Sequence, residues 1–166
     1  KSIRNISDFP KPGIQFKDIT TLLLNHEAFK ETIKVFSNAF KNKEIDVIVG
    51  IESRGFIFAA PLAIELGSKF ALARKPGKLP SKKVSQNYKL EYGSDLLEIH
   101  ADAINKKDKV LIVDDLLATG GTANAVGKLV SKLGGEIISF AFLIQLTSLK
   151  GVKLLRPHQI FSIVDY

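Results

Sequence analysis

An α/β fold built on a mainly parallel sheet flanked by helices is predicted by three observations. Short β-branched runs alternate along the chain with helix-length segments that carry an apolar face. Two of those runs, Asp46–Ile51 (DVIVGI) and Lys109–Asp114 (KVLIVD), are almost continuously apolar rather than alternating. That is the pattern of a strand covered on both faces, as parallel strands are. Helical segments end on glycine, at Gly67 and Gly134-Gly135, where a left-handed residue stops a helix without steric penalty.

Taken in order, His26–Lys41 follows Asn25, a good N-cap, and places Phe29, Ile33, Phe36 and Phe40 on one face. Asp46–Ile51 is the first buried strand, and Gly55–Leu66 the next helix. Pro61 interrupts that helix, so a kink or a late start is expected there. Lys69–Ala73 reads as another strand. From Arg74 to Gly93 the texture changes: Lys-Pro-Gly-Lys-Leu-Pro, scattered Ser and Lys, and little apolar periodicity predict a long loop. Loops of that length inside a compact domain are usually functional. Leu96–His100 is a flanking strand and Lys109–Asp114 the clearest buried one. Thr122–Leu133 follows as a helix with Ala123, Val126, Leu129, Val130 and Leu133 inward, and Glu136–Gln145 and Gln159–Val164 complete the set. No repeat, low-complexity segment or linker divides the chain.

The 166 residues, 45% of them hydrophobic, predict a single domain with a full core. The apolar stretch Phe56–Ile64 contains Pro61 and is too short to span a bilayer. The opening Lys1-Ser2-Ile3-Arg4 has no secretory h-region, and a start on Lys is read as loss of the initiator residue or a few more. With no Cys there is no disulfide framework, thiolate metal site or cysteine nucleophile. A cytoplasmic protein is expected. The formal charge of +7 admits a nucleic-acid, membrane or polyanionic small-molecule partner. The basic residues are spread, with only short clusters such as Lys82-Lys83 and Lys106-Lys107, and form no stripe with interleaved aromatics. This favours solubility plus a local anion site over a nucleic-acid or membrane surface.

The chemistry concentrates in Val110–Thr122, VLIVDDLLATGGT. A hydrophobic strand ends in two acids, and a small-residue turn leads into a helix. Consecutive backbone N–H groups from Ala118 through Thr119, Gly120 and Gly121 to Thr122 suit a phosphate at a helix N-terminus, helped by two Thr hydroxyls. Asp114 and Asp115 are poor phosphate ligands but good acceptors for sugar hydroxyls. A phosphate cradle beside a diol clamp outlines ribose 5-phosphate. A triphosphate P-loop needs Lys before the terminal Thr, where Gly121 stands, and the G-x-G-x-x-G pattern is absent. The bland alternative is an ordinary strand-to-helix turn.

This segment resembles the PRPP (phosphoribosyl pyrophosphate) motif of the type I phosphoribosyltransferases. The likeness runs almost end to end and points to the members of that family that act on adenine. It continues through FPKPGIQFKDIT at 9–20, GIESRGF at 50–56, RKPGKLP at 74–80, LEYG at 90–93 and LTSLKG at 146–151. The resemblance implies the type I phosphoribosyltransferase fold with a small N-terminal hood at about 1–25 and a flexible catalytic loop at about 74–93. It implies transfer of phosphoribose from PRPP to adenine, giving AMP and pyrophosphate in purine salvage. A homodimer is implied as well.

By the same resemblance Asp114 and Asp115 hold the ribose hydroxyls and Ala118–Thr122 the 5-phosphate. Ser53 and Arg54 follow a strand end, where open α/β sheets place ligands, and Arg54 offers a planar fork for pyrophosphate. The alternative for Arg54 is a surface ion pair with Glu52. Arg74, Lys75 and Lys78 lie at the loop mouth, and the family places some of these on the pyrophosphate of the neighbouring subunit. Solvated surface charge is their alternative. Glu91 is implied as the group that manages the proton of the incoming base, and Tyr92 as a loop-closure contact. Phe16 is expected to stack on the purine with Leu116 opposite, a plain core role being its alternative, while Gln15 and Lys17 offer backbone groups to its polar edge. Position 17 is often Arg in the family, so Lys17 is a mild departure.

His26, His100 and His158 are far apart and show no ligand spacing. No protein metal site is expected; Mg²⁺ would arrive on PRPP, bound by phosphates and water. Rival readings are another base (hypoxanthine, guanine, xanthine or orotate), a PRPP-sensing nucleic-acid regulator, and an inactive member. No appended DNA-binding domain fits in 166 residues, and Arg54, Glu91, Asp114 and Asp115 are all intact.

Overall fold

The computed structural model describes residues 2–89 and 94–166. The chain divides into two compact units, Lys1–Val35 and Phe36–Tyr166.

The first unit opens with a hairpin of β1 (Arg4–Ser7) and β2 (Gln15–Asp18), paired antiparallel with Phe16 opposite Ile6. Its turn is held by the Gly13 amide donating to Asp8 Oδ1 at 2.7 Å, with Gly13 at φ +84°. Phe9 meets Phe16 edge-on, with ring centroids 5.1 Å apart. Asp18 closes the unit's polar network. It pairs with Arg4 at 2.5 Å and accepts the Thr20 amide at 2.9 Å, at the start of the short helix α1 (Thr20–Leu23). These elements were not anticipated, because four-residue strands such as RNIS and QFKD offer too little periodicity to read. Helix α2 (His26–Phe40) starts here, and Asn25 Oδ1 does accept the Ala28 amide, at 3.0 Å.

The second unit carries the sheet. In chain order it holds β3 (Val47–Ile51), α3 (Gly55–Leu66), β4 (Lys69–Ala73), β5 (Lys83–Lys89), β6 (Ser94–His100) and β7 (Lys109–Leu117). Then come α4 (Gly121–Leu133), β8 (Glu136–Gln145), a 3₁₀ turn at Thr147–Leu149, α5 (Val152–Leu155) and β9 (Gln159–Asp165). The order β4-β3-β7-β8-β9 forms a five-stranded sheet whose described pairings are all parallel. Val47, Ile48, Val49 and Ile51 in β3 and Val110–Val113 in β7 are fully buried, as their continuous apolar runs predict. Burying each such side chain is worth about 1.5–3 kcal/mol. From α3 the core receives Phe58 and Leu62, and from α4 it receives Val126, Leu129 and Val130.

Two expectations need correcting. Helix α3 has its expected bounds, Gly55–Leu66 with left-handed Gly67 after it, and of the two outcomes expected at Pro61 the late start does not occur. Proline removes one helical N–H, and packing of this strongly apolar helix outweighs that loss. The segment from Arg74 to Gly93 is not all loop, since β5 pairs antiparallel with β6 from Lys83↔His100 to Lys89↔Ser94. Val84, Gln86 and Tyr88 are half-buried while Lys83, Ser85 and Asn87 are exposed. The period of two is therefore present, but Gln86 on the inner face hides it from an apolar scan.

The chain order places the ligand crevice. From β3 the sheet grows one way to β4, and from β7 it grows the other way to β8 and β9. The switch point lies between the carboxyl ends of β3 and β7, where ligands bind in open α/β sheets.

Candidate active site

Pairing between β3 and β7 stops at Gly50↔Val113, so the β3 flank of β7 is open from Asp114 onward. On the other flank β8 continues to Leu117↔Gln145 and holds the strand extended. Both acids thus border the crevice while standing on a rigid strand. Asp115 is buried, and the Asp115 amide donates to Asp114 Oδ1 at 2.9 Å. Burial, and next to it the Asp115 charge, pushes the Asp114 carboxyl well above the usual carboxylate range. Burial raises Asp115 too, opposed by the Arg54 guanidinium, whose Nη2 lies 2.9 Å from Asp115 Oδ2.

After β7 the turn runs into α4. The first helical bond joins the Asn124 amide to the Gly120 carbonyl at 2.9 Å, so the amides of Gly121, Thr122 and Ala123 stand ahead of the ladder. A small cavity of about 80 Å³ is lined by Ala118, Thr119, Gly120, Gly121 and Thr122 together with Asp114 and Leu116. Gly120, at φ +84°, permits the sharp entry. Behind it lies Gly151: a Cβ there would stand 2.2 Å from the Ala118 carbonyl oxygen, and one on Gly120 would stand 2.6 Å from the Gly151 carbonyl oxygen. The two backbones touch only because both residues lack side chains.

The turn from β3 into α3 supplies the second wall. It contains a cis peptide between Glu52 and Ser53. Gly55 lets the start of α3 approach β7, where a Cβ would meet the Val113 carbonyl at 2.7 Å and Asp114 Oδ1 at 2.9 Å. Glu52 receives the Arg74 side chain at 3.3 Å and the Lys75 amide at 2.8 Å. Burial opposes the Glu52 charge, but these donors outweigh it and hold the carboxyl below its ordinary value. Lys75 Nζ lies 3.5 Å from Asp95 Oδ2. Ser53, Arg54, Lys75, Asp114, Asp115, Leu116, Ala118 and Thr122 share one open cleft of about 590 Å³ with Glu52, Tyr88 and Asp95. It offers carboxylates for hydroxyls, a run of amides for one anion and cations for another.

Comparison with known proteins matches residues 18–165 to the phosphoribosyl transferase domain. The chain belongs to the phosphoribosyltransferase family. Across 166 residues, all of this chain and 96% of the relative, this phosphoribosyltransferase is 55% identical to an adenine phosphoribosyltransferase of Clostridium botulinum (strain Alaska E43 / Type E3). The crystal structure of adenine phosphoribosyltransferase from Thermoanaerobacter pseudethanolicus superposes with a TM-score of 0.97 at 50% identity, covering 99% of this chain and 96% of that one. The Saccharomyces cerevisiae enzyme superposes with a TM-score of 0.92 at 41% identity, covering 97% of this chain and 93% of that one. It was solved with an imino-altritol bisphosphate and adenine.

Within this phosphoribosyltransferase the expected site residues divide clearly. The acids, the cradle from Ala118 to Thr122, Ser53, Arg54, Lys75 and Leu116 meet at the crevice. Arg54 pairs with Asp115, whereas Glu52, named as its alternative surface partner, holds Arg74. Arg74 and Lys78 do not line the described cleft. Gln15, Phe16 and Lys17 stand on β2 of the first unit, where Phe16 packs on Phe9. Glu91 and Tyr92 lie outside the described residues. Sequence reasoning missed Glu52, Tyr88, Asp95, Gly55 and Gly151. The last two sat inside motifs already recognised, but only the backbone approach explains them.

Proposed function

We propose that this phosphoribosyltransferase transfers the 5-phosphoribosyl group of PRPP to adenine, releasing pyrophosphate and forming AMP in purine salvage. The observation that carries the reading is the pairing of two acids with an amide cradle at one switch point, in a chain so similar to adenine phosphoribosyltransferases throughout its length. In this mechanism Asp114 and Asp115 accept the ribose hydroxyls and the Ala118–Thr122 turn anchors the 5-phosphate. The C1′–pyrophosphate bond breaks as the adenine nitrogen approaches, and positive charge builds on the ribose ring that the two acids hold by its hydroxyls. Arg54, Ser53 and Lys75 receive the departing pyrophosphate. Glu91 is proposed to take the proton that adenine loses, with Tyr92 closing the loop. Phe16 and Leu116 are proposed to sandwich the purine, with Gln15 and Lys17 at its edge. Positioning and charge stabilisation carry the rate, and no covalent intermediate is invoked.

Mg²⁺ is proposed as the cofactor. Among the described residues no three His, Cys, Asp or Glu side chains gather to cage an ion. The oxygen-rich wall of Asp114 and Asp115 suits a hard cation brought in on substrate phosphates. Bound there, the ion would neutralise charge on the leaving pyrophosphate. A homodimer is proposed too, supported by the apolar outer side of the sheet edge, where Ile64 on α3 is 83% exposed and Phe70 on β4 is 39% exposed. Lys78, and Arg74 on leaving Glu52, are then proposed to reach the pyrophosphate of the partner. No described helix is long and apolar enough to cross a membrane. The proposed setting is the cytoplasm, with small molecules rather than nucleic acid or membrane as partners.

The deciding experiment measures pyrophosphate release with PRPP, Mg²⁺ and each of adenine, hypoxanthine, guanine and orotate. Turnover with adenine is the expected result. Turnover with another base alone would keep the PRPP site and overturn the base assignment, and silence with all four would overturn the reaction.

A further inference from the structure

We propose that Tyr88 is a further PRPP-contacting residue, closing the 5-phosphate end of the cleft, and that Asp95 is the residue that positions it. The inference rests on the reading of this cleft as a PRPP site. Tyr88 and Asp95 face each other across the β5–β6 hairpin as a registered pair, and the phenol donates to Asp95 Oδ2 at 3.2 Å. The carboxylate is itself fixed. Its Oδ1 accepts the Leu96 amide at 2.8 Å, and its Oδ2 lies 3.5 Å from Lys75 Nζ.

Location gives the pair its role. Tyr88 and Asp95 line the 590 Å³ cleft with Thr122 of the cradle. Tyr88 also lines a second cavity of about 540 Å³, whose wall includes Gly121 and Lys128. The ring is therefore the partition between the two spaces, standing against the first turn of α4 beside the proposed phosphate.

An acid that no sugar hydroxyl claims is out of place beside a polyanion unless it holds donors for that anion. Asp95 does so twice, at Tyr88 and at Lys75. The Leu96 amide above all, against the opposing effect of burial, keeps its carboxyl below the ordinary range, and burial pushes the Tyr88 phenol up. At neutral pH Asp95 is thus an acceptor and Tyr88 a donor. A phosphate in the cradle brings anionic oxygens beside Thr122, and the Tyr88 O–H turns from Asp95 to one of them. Asp95 keeps Lys75 and the Leu96 amide, so it is not left without partners.

The test uses the whole chain with Tyr88→Phe, Asp95→Asn and the double variant. Binding of AMP by calorimetry is the main readout, because AMP carries the 5-phosphate without the diphosphate. Loss of one hydrogen bond to a charged group predicts that Tyr88→Phe weakens AMP binding and raises KM for PRPP about tenfold, with kcat within about twofold. Asp95→Asn should weaken AMP binding by less, and the double variant should bind AMP no worse than Tyr88→Phe alone. Unchanged AMP affinity in Tyr88→Phe overturns the proposal, as do additive effects of the two substitutions on AMP affinity. If Tyr88→Phe fails to fold, Asp95→Asn decides by itself: lower thermal stability with unaltered AMP and PRPP parameters overturns the positioning role. Wild-type protein that binds neither AMP nor PRPP overturns the underlying PRPP reading instead.

Discussion

Ionising Asp114 and Asp115 in the fold comes at the expense of stability. Each has its carboxyl pushed above the usual range, first by burial. Such a group binds more protons folded than unfolded between the ordinary carboxylate range and its raised value. Stability therefore falls as pH rises through that window, and the penalty is complete above it. Asp114→Asn should raise the melting temperature at pH 8 by a few degrees, since about 1 kcal/mol moves a domain of this size by roughly 2–4 °C. The gain should vanish near pH 4, and kcat/KM for PRPP should fall about 10- to 100-fold. Melting curves across pH, paired with kinetics, check both halves. Gly151→Ala is the steric counterpart. Its methyl would displace the Ala118 carbonyl, so PRPP affinity should drop at least about tenfold and stability by about 1–3 kcal/mol in urea unfolding.

At the scale of elements, the β5–β6 hairpin is tied to the 74–78 turn through Glu98. Its carboxylate lies 3.0 Å from Lys83 Nζ and accepts the Gly77 amide at 3.3 Å, while its backbone exchanges two bonds with Arg74. Because Lys83 is about a third exposed, breaking this tie with Glu98→Gln should destabilise by only about 1–2 kcal/mol. Hydrogen exchange of amides 74–78 and 83–89 should accelerate together; acceleration of one segment alone would show that they are not coupled. In the first unit, the Thr20 amide, then its hydroxyl and Arg4, hold the Asp18 carboxyl at about 2. That contribution is present above the unfolded value of about 3.9 and is lost as pH falls towards 2. Asp18→Asn should accordingly flatten the acid limb of thermal stability followed by circular dichroism between pH 5 and 2.

For the molecule as a whole, the proposed function makes the charge of +7 a field that gathers a polyanionic substrate. PRPP is a polyanion and adenine is neutral, so salt should separate them. Raising ionic strength from about 0.05 to 0.5 M, where the screening length shortens severalfold, should raise KM for PRPP several-fold and leave KM for adenine nearly unchanged. An equal response of both would mean that the field plays no part in capture.

The sequence by itself determined the parallel strands, because runs such as Val110–Val113 are apolar on both faces and have no stable place outside a covered sheet. It also determined the cradle and its two acids, since glycines, threonines and paired carboxylates state their chemistry locally. Tertiary structure decided what depends on distance between segments. Arg54 meets Asp115, far along the chain, because the switch point brings the β3 turn against β7. Strand β5 exists because β6 supplies its hydrogen bonds, which its mixed composition does not announce. Gly55 and Gly151 matter for the space they leave to a backbone far along the chain, and no local pattern records an absence of atoms.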